Sequence, residues 1–232
     1  MEHYTDTIHN ETTEIGTWIS GYFGSGKSHL AKIIALISEN RTLNGIPAST
    51  RLAGRIPADA PHRDSILRSL SRISLCDTQL MAFNLNTLVD SKTTALPRIL
   101  LSQYYMSCGY GGNLIYARVI EAEVNKRGRL EELHAAASRL AGRPWEEIKN
   151  NLSFYSRALN QAACEVAPEA FASPEDVAQA LKNAEKGELY NVQFLISTIL
   201  ADLNEREKKL GKPCRMLMVL DESGQWIEAD GG

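Results

Sequence analysis

Residues Gly21-Tyr22-Phe23-Gly24-Ser25-Gly26-Lys27-Ser28 fit the pattern G-x-x-x-x-G-K-[ST] at every fixed position. That pattern restricts the local backbone to a turn that wraps its N–H groups around an anion and leads into a helix. Glycines at 21, 24 and 26 allow backbone conformations closed to other residues and keep Cβ atoms away from phosphate oxygens. Lys27 has the reach to meet β- and γ-phosphates, and Ser28 offers its hydroxyl to Mg²⁺. Tyr22, Phe23 and Ser25 complete the stretch expected to line a nucleotide. His29, the next residue, either grazes the nucleotide or sits on a helix surface. The second reading is the better one, because phosphoryl transfer requires nothing of it.

The flanks agree with this reading. Thr17-Trp18-Ile19-Ser20 is short, β-branched and aromatic, which predicts a buried strand entering the loop. Beyond the loop, Leu30, Ile33, Ile34 and Ile37 recur at i, i+3, i+4 and i+7, the spacing of one apolar helix face. That helix should end near Asn40, ahead of the turn signal Asn44-Gly45. Its first turn, Lys27-Ser28-His29, directs free N–H groups and about half a unit of positive charge at the loop.

A second motif lies far downstream. Met216-Leu217-Met218-Val219-Leu220 is a continuous apolar run closed by Asp221-Glu222, the form of a buried strand with carboxylates at its C-terminal edge. Ligands of open α/β sheets gather at that edge. Asp221 reads as the carboxylate completing a Mg²⁺ shell with Ser28, and Glu222 as the general base for an attacking water. Strand alternation would aim Glu222 to the opposite side from Asp221. The acidic pair favours hydrolysis over phosphorylation of a small substrate. No Asn-Lys-x-Asp element for guanine is present, so ATP is expected over GTP.

Together, residues 16–29 and Asp221-Glu222-Ser223-Gly224-Gln225-Trp226-Ile227 resemble the large P-loop ATPases of BREX phage-defence systems, the BrxC (PglY-like) family. The aromatic pair inside the loop (the Walker A motif) and the Gly-Gln after the Asp-Glu (the Walker B motif) carry the resemblance. Leu80-Met81-Ala82-Phe83-Asn84-Leu85 is similar to a family strand that ends in a Phe-Asn step. The resemblance implies an AAA-like ATPase of bacterial defence that binds ATP and Mg²⁺. It also implies a homo-oligomer at full length and other BREX components as partners. Family members carry more sequence before the loop and after the acidic motif, so the chain is expected to be an incomplete module. Only residues 223–232 remain for the further strand, sensor and arginine of an AAA-like site.

The predicted architecture is α/β, an AAA-like parallel sheet with a large all-helical insertion between its second strand and the acidic strand. Residues 1–95 form the first part of the core, 96–210 the insertion, and 211–232 the acidic strand and its end. Helical patterns run over 99–105, 113–124, 130–140, 152–163 and from about 189 to 210. Ser173-Pro174-Glu175-Asp176 supplies an N-cap, a first-turn proline and acidic residues for one more helix. The apolar stripes of this block read most simply as core.

With a net charge of −3, the chain exerts no global pull on nucleic acid or an anionic membrane, so any DNA contact must be local. One local candidate is Arg51, Arg55, Arg63, Arg68 and Arg72, opposed only by Asp59 and Asp64. A solvated helix face explains them most simply, with Leu67, Leu70 and Ile73 turned inward. No aromatic residue interleaves to stack on bases. Cysteines at 76, 108, 164 and 214 form no C-x-x-C pair, and the N-terminal residues carry no signal-peptide pattern. A reducing cytoplasm is therefore expected. Three functional classes fit: an ATP-hydrolysing motor or switch, within BREX or acting on DNA outside it; a non-hydrolysing nucleotide-dependent assembly module; and a small-molecule kinase.

Overall fold

The computed structural model describes residues 2–8, 16–84, 96–187 and 190–222. Leu85 and residues 223–232, which include the Gly-Gln step of the second motif, lie outside that set. The protein is mixed α/β, 59% helical, with a small parallel sheet. The chain divides into two compact units, Met1–Asp90 with Ser197–Gly232, and Ser91–Ile196.

The first unit opens with α1 (Glu2–Asp6) and, after the loop, α2 (Lys27–Glu39). Helix α2 starts at Gly26 in the left-handed conformation (φ 83°) and ends at left-handed Asn40 (φ 52°). Asn44 (φ 50°) and Gly45 (φ 77°) then make a two-residue hairpin turn between β1 (Thr42–Leu43) and β2 (Ile46–Pro47). Positive φ at both central residues matches the right-handed twist of the flanking strands, so the Asn-Gly pair acts here as expected.

Helices α3 (Ala48–Ala53) and α4 (Arg63–Ile73) follow. Leu70 and Ile73 of α4 close on Ile37 of α2, and Leu52, Ala53, Ile56, Ile66 and Leu67 pack around them.

Strand β3 (Asp77–Asn84) pairs in parallel with β4 (Cys214–Asp221), from Asp77 opposite Cys214 to Asn84 opposite Asp221. Helix α2 packs on both strands. The N-terminal edge of the pair is tied down by polar groups. Arg206 forms an ion pair with Asp77 and donates to Gln79, and the hydroxyls of Tyr4 and Thr78 are hydrogen-bonded. Burial is the main cause that pushes the Tyr4 phenol up to about 12.

Two expectations are corrected in this unit. Thr17–Ser20 is not a strand: it runs without a ladder partner among the described residues, and Trp18 is 68% exposed. β-Propensity expresses fit to a half-buried pleated surface. Strands β3 and β4 pair with each other and not with this segment, which stays solvated. The strand at 77–84 is therefore the first of the parallel sheet, not the second. The apolar face of α2 is also narrower than its spacing suggests. Ala35 and Ile37 are buried, whereas Leu30 and Ile33 remain exposed, because two strands cover only a narrow stripe.

The second unit is helical: α5 (Leu96–Ser107), α6 (Leu114–Tyr116), one π-helical turn (Ala117–Glu121), α7 (Ala122–Lys126), α8 (Leu130–Ala141), α9 (Trp145–Ile148), α10 (Ser156–Val166) and α11 (Pro174–Gly187). Its core gathers Ile120, Val124, Leu133, Ala137, Ile148, Leu159 and Val177. Asn113 and Ser173 cap α6 and α11, their side-chain oxygens accepting from the N–H groups of Tyr116 (2.9 Å) and Asp176 (3.1 Å). Residues 152–155 form turns, so α10 begins at Ser156, later than the periodicity implied.

Helix α12 (Val192–Leu210) carries the chain toward β4. Its residues from Ser197 onward group with the sheet-bearing unit.

The π-helical turn carries a fully buried carboxylate, Glu121. Gly111 N–H donates to both of its oxygens (2.8 and 3.1 Å), and His134 Nε2 lies 2.9 Å from Oε1. His134 in turn stacks on Trp145 at 3.9 Å. A buried carboxylate persists only when its lone pairs are met, and these partners meet them. Among the described residues, no helix is long and apolar enough to cross a membrane.

Candidate nucleotide site

The geometry of the loop at 21–28 follows from two glycines. Gly24 and Gly26 sit at φ 79° and 83°, values costly for any residue with a Cβ, and Ser25 N–H closes a turn onto Tyr22 O at 3.2 Å. The tight approach at Gly21 has a separate cause: a Cβ there would lie 3.0 Å from Ser25 Oγ and 3.6 Å from Lys27 Cδ.

Lys27 Nζ folds back to donate to Gly21 O and Tyr22 O, both at 2.8 Å. Its ammonium is thus held against the start of the loop by acceptors that a phosphate oxygen could replace. The start of α2 has no side-chain cap, and Leu30 N–H donates to Gly26 O at 2.9 Å. The N–H groups ahead of Leu30 are those that a helix terminus presents to an anion.

The two sequence motifs meet. Ser28 Oγ donates to Asp221 Oδ1 at 3.0 Å, across 193 positions of sequence. Helix α2 carries the serine, β4 carries the aspartate, and packing of α2 on the sheet sets the distance. The same Oδ1 accepts the Glu222 N–H at 3.1 Å. A hydroxyl beside one carboxylate at the mouth of a phosphate loop suits Mg²⁺, which takes one or two protein oxygens, keeps several waters and draws its remaining ligands from phosphates.

Glu222 differs from expectation. Strand β4 ends at Asp221, and Glu222 stands outside it in the left-handed region at φ 58°, exposed. Its direction is therefore set by that turn and not by strand alternation. A non-glycine residue held at positive φ costs on the order of 1–2 kcal/mol, a strain common where a side chain must be aimed.

Tyr22 and Phe23 project into solvent at 92% and 105% exposure, and His29 is an exposed residue of the first turn of α2. Among the expected site residues, Gly21 to Ser28 and Asp221 share one locus, and Glu222 borders it. One neighbour escaped the sequence-based site list: Asn84, which the parallel register sets level with Asp221 at the sheet edge. Its signal was the polar residue closing the alternating strand at 77–84.

A concavity of about 460 Å³ lies elsewhere, in the second unit, and is lined by Gly112, Asn113 and residues 149–154. It holds none of the motif residues. A phosphate loop is an open cradle of backbone N–H groups, so cavity volume is a poor guide to it. No protein-family model matches the chain, and no solved structure matches it.

Proposed function

We propose that the chain binds Mg·ATP through Gly21–Ser28 and Asp221 and hydrolyses it with Glu222 as general base. The hydrogen bond from Ser28 to Asp221 is the observation that carries this reading. Two motifs distant in sequence, the acidic one weak alone, meet in the relation that a shared metal would require. Lys27 would turn from the loop carbonyls to the β- and γ-phosphates, and the α2 N-terminus would hold phosphate oxygens. Ser28 and Asp221 would hold Mg²⁺, which neutralises charge developing on the phosphates. Glu222 would accept the proton of the attacking water.

The likeness of residues 16–29 and 221–227 to the BrxC family supports a place in BREX-type defence, as an oligomeric AAA-like ATPase working with other components. A non-hydrolysing assembly module is the second reading. It is favoured by the position of Glu222 outside the strand, turned by a left-handed residue. One experiment separates the two: ATP-induced stabilisation and phosphate release for wild type, Lys27→Ala and Glu222→Gln. Hydrolysis predicts that Lys27→Ala loses the melting shift, while Glu222→Gln keeps it and loses turnover. A melting shift without phosphate release in the wild type selects the assembly module. Undiminished release in Glu222→Gln removes the general-base assignment.

A further inference from the structure

Residues 41–76 hold six arginines against two aspartates, with no lysine and no glutamate, a local charge of +4 in a chain of net −3. The fold turns the apolar residues of α3, α4 and the loop between them inward, while Leu43, Ile46 and Leu75 at the ends of the stretch stay exposed. Leu52, Ala53, Ile56, Ile66 and Leu67 pack on the cluster of Ile37, Leu70 and Ile73, which leaves the arginines on its outer side.

Three of the arginines are already engaged. Arg41 pairs with Glu39 at 2.9 Å, Arg72 pairs with Asp6 at 2.7 Å, and Arg51 donates to Leu43 O at 2.6 Å. Arg63 makes only a loose 3.9 Å approach to Asp64. Arg55, just beyond α3, and Arg68, on the outer face of α4, are exposed, and their guanidinium groups have no partner among the described residues.

We propose that the outer surface of α3 and α4 docks the phosphodiester backbone of duplex nucleic acid, with Arg55 and Arg68 as its primary contacts. Three features select this partner. Guanidinium presents a planar fork that matches phosphate bidentately, and the whole charge of the patch is arginine. Within α3 and α4 no large apolar residue is exposed, the exposed Leu43, Ile46 and Leu75 lying outside both helices, so neither helix face offers the anchor typical of a protein interface. No aromatic residue stands among the arginines to stack unpaired bases, which disfavours single strands. Contacts of this kind are indifferent to sequence and sensitive to salt. The proposal is independent of nucleotide hydrolysis.

The test is fluorescence anisotropy of a short fluorescein-labelled duplex of mixed sequence, titrated with the full chain over a salt series. Each phosphate neutralised contributes about 0.9 to the slope of log K against log salt. Arg55→Ala/Arg68→Ala should lower the slope by about 1.8 and weaken binding roughly 60-fold near ~0.1 M salt. The conservative Arg55→Lys/Arg68→Lys pair should keep most of the slope. Arg157→Ala/Lys182→Ala, which removes two exposed charges from the second unit, should leave it unchanged. A matched melting curve for each variant checks folding. Absence of duplex binding by the wild type overturns the proposal, as does equal weakening in the Arg157/Lys182 variant. Displacement by polyglutamate as readily as by unlabelled duplex would assign the surface to an acidic protein instead.

Discussion

The contact between Ser28 and Asp221 can be measured without any nucleotide. A neutral hydroxyl donating to a carboxylate at 3.0 Å is worth roughly 1.5–3 kcal/mol where water is excluded. Both residues are half-buried here, which lowers the expected value to about 1 kcal/mol. Single substitutions would confuse that term with others, because Asp221 Oδ1 also accepts the Glu222 N–H. A double-mutant cycle of Ser28→Ala and Asp221→Ala removes the common part and leaves the pairwise coupling. Guanidinium unfolding, followed by intrinsic fluorescence in EDTA at neutral pH, should return a coupling near ~1 kcal/mol, outside the ~0.3–0.5 kcal/mol scatter of independent sites. Additive behaviour within that scatter would mean that α2 and β4 do not meet at these residues in solution, and the metal site argued from them would fall.

Three further outcomes follow from the same geometry. Gly26→Ala, at φ 83°, should cost about 1–2 kcal/mol and abolish ATP-induced stabilisation, whereas a melting temperature equal to wild type would refute the left-handed start of α2. Glu121→Ala strips Gly111 N–H and His134 of their shared acceptor and should cost about 3–5 kcal/mol, read from the unfolding midpoint of the helical unit; a loss under ~1 kcal/mol would refute burial of the pair. The Tyr4 phenol is raised to about 12, chiefly by burial, above its unfolded value near ~10. Its contribution is therefore complete below pH ~10 and is lost as pH climbs through 12. Tyr4→Phe should flatten that alkaline decline, and an unchanged slope of midpoint against pH would count against the buried phenol.

What the sequence disclosed followed how local each determinant is. The Asn44-Gly45 hairpin, the Ser173 cap and the start of α2 at the loop were all legible, because each depends on residues within one turn of it. The run 216–221 became a strand as its continuous apolar residues predicted, but not the buried one expected, for its residues are half-buried and Leu220 is exposed. Thr17–Ser20 was misread because strand propensity says nothing about whether a neighbour is free to pair. Glu121 and His134 were invisible as partners, since a π-helical turn and the separate helix α8 bring together residues that no periodicity links. Glu222 was misaimed because strand alternation was carried one residue past the end of β4.

The parallel pairing of β3 with β4 has a consequence for the order of events at the ribosome. Ser28 is synthesised 193 residues ahead of Asp221, an interval of about 10–40 s at ordinary rates of elongation. Once made, β3 waits without its ladder partner for most of that time, and a lone strand gives α2 no sheet to rest on. The helical unit, with its own apolar centre built from near-sequence neighbours, can complete itself meanwhile. The loop at 21–28 thus gains Asp221 only after both units have been synthesised up to β4, and on the proposed reading the nascent chain would lack one of its two Mg²⁺ ligands until then.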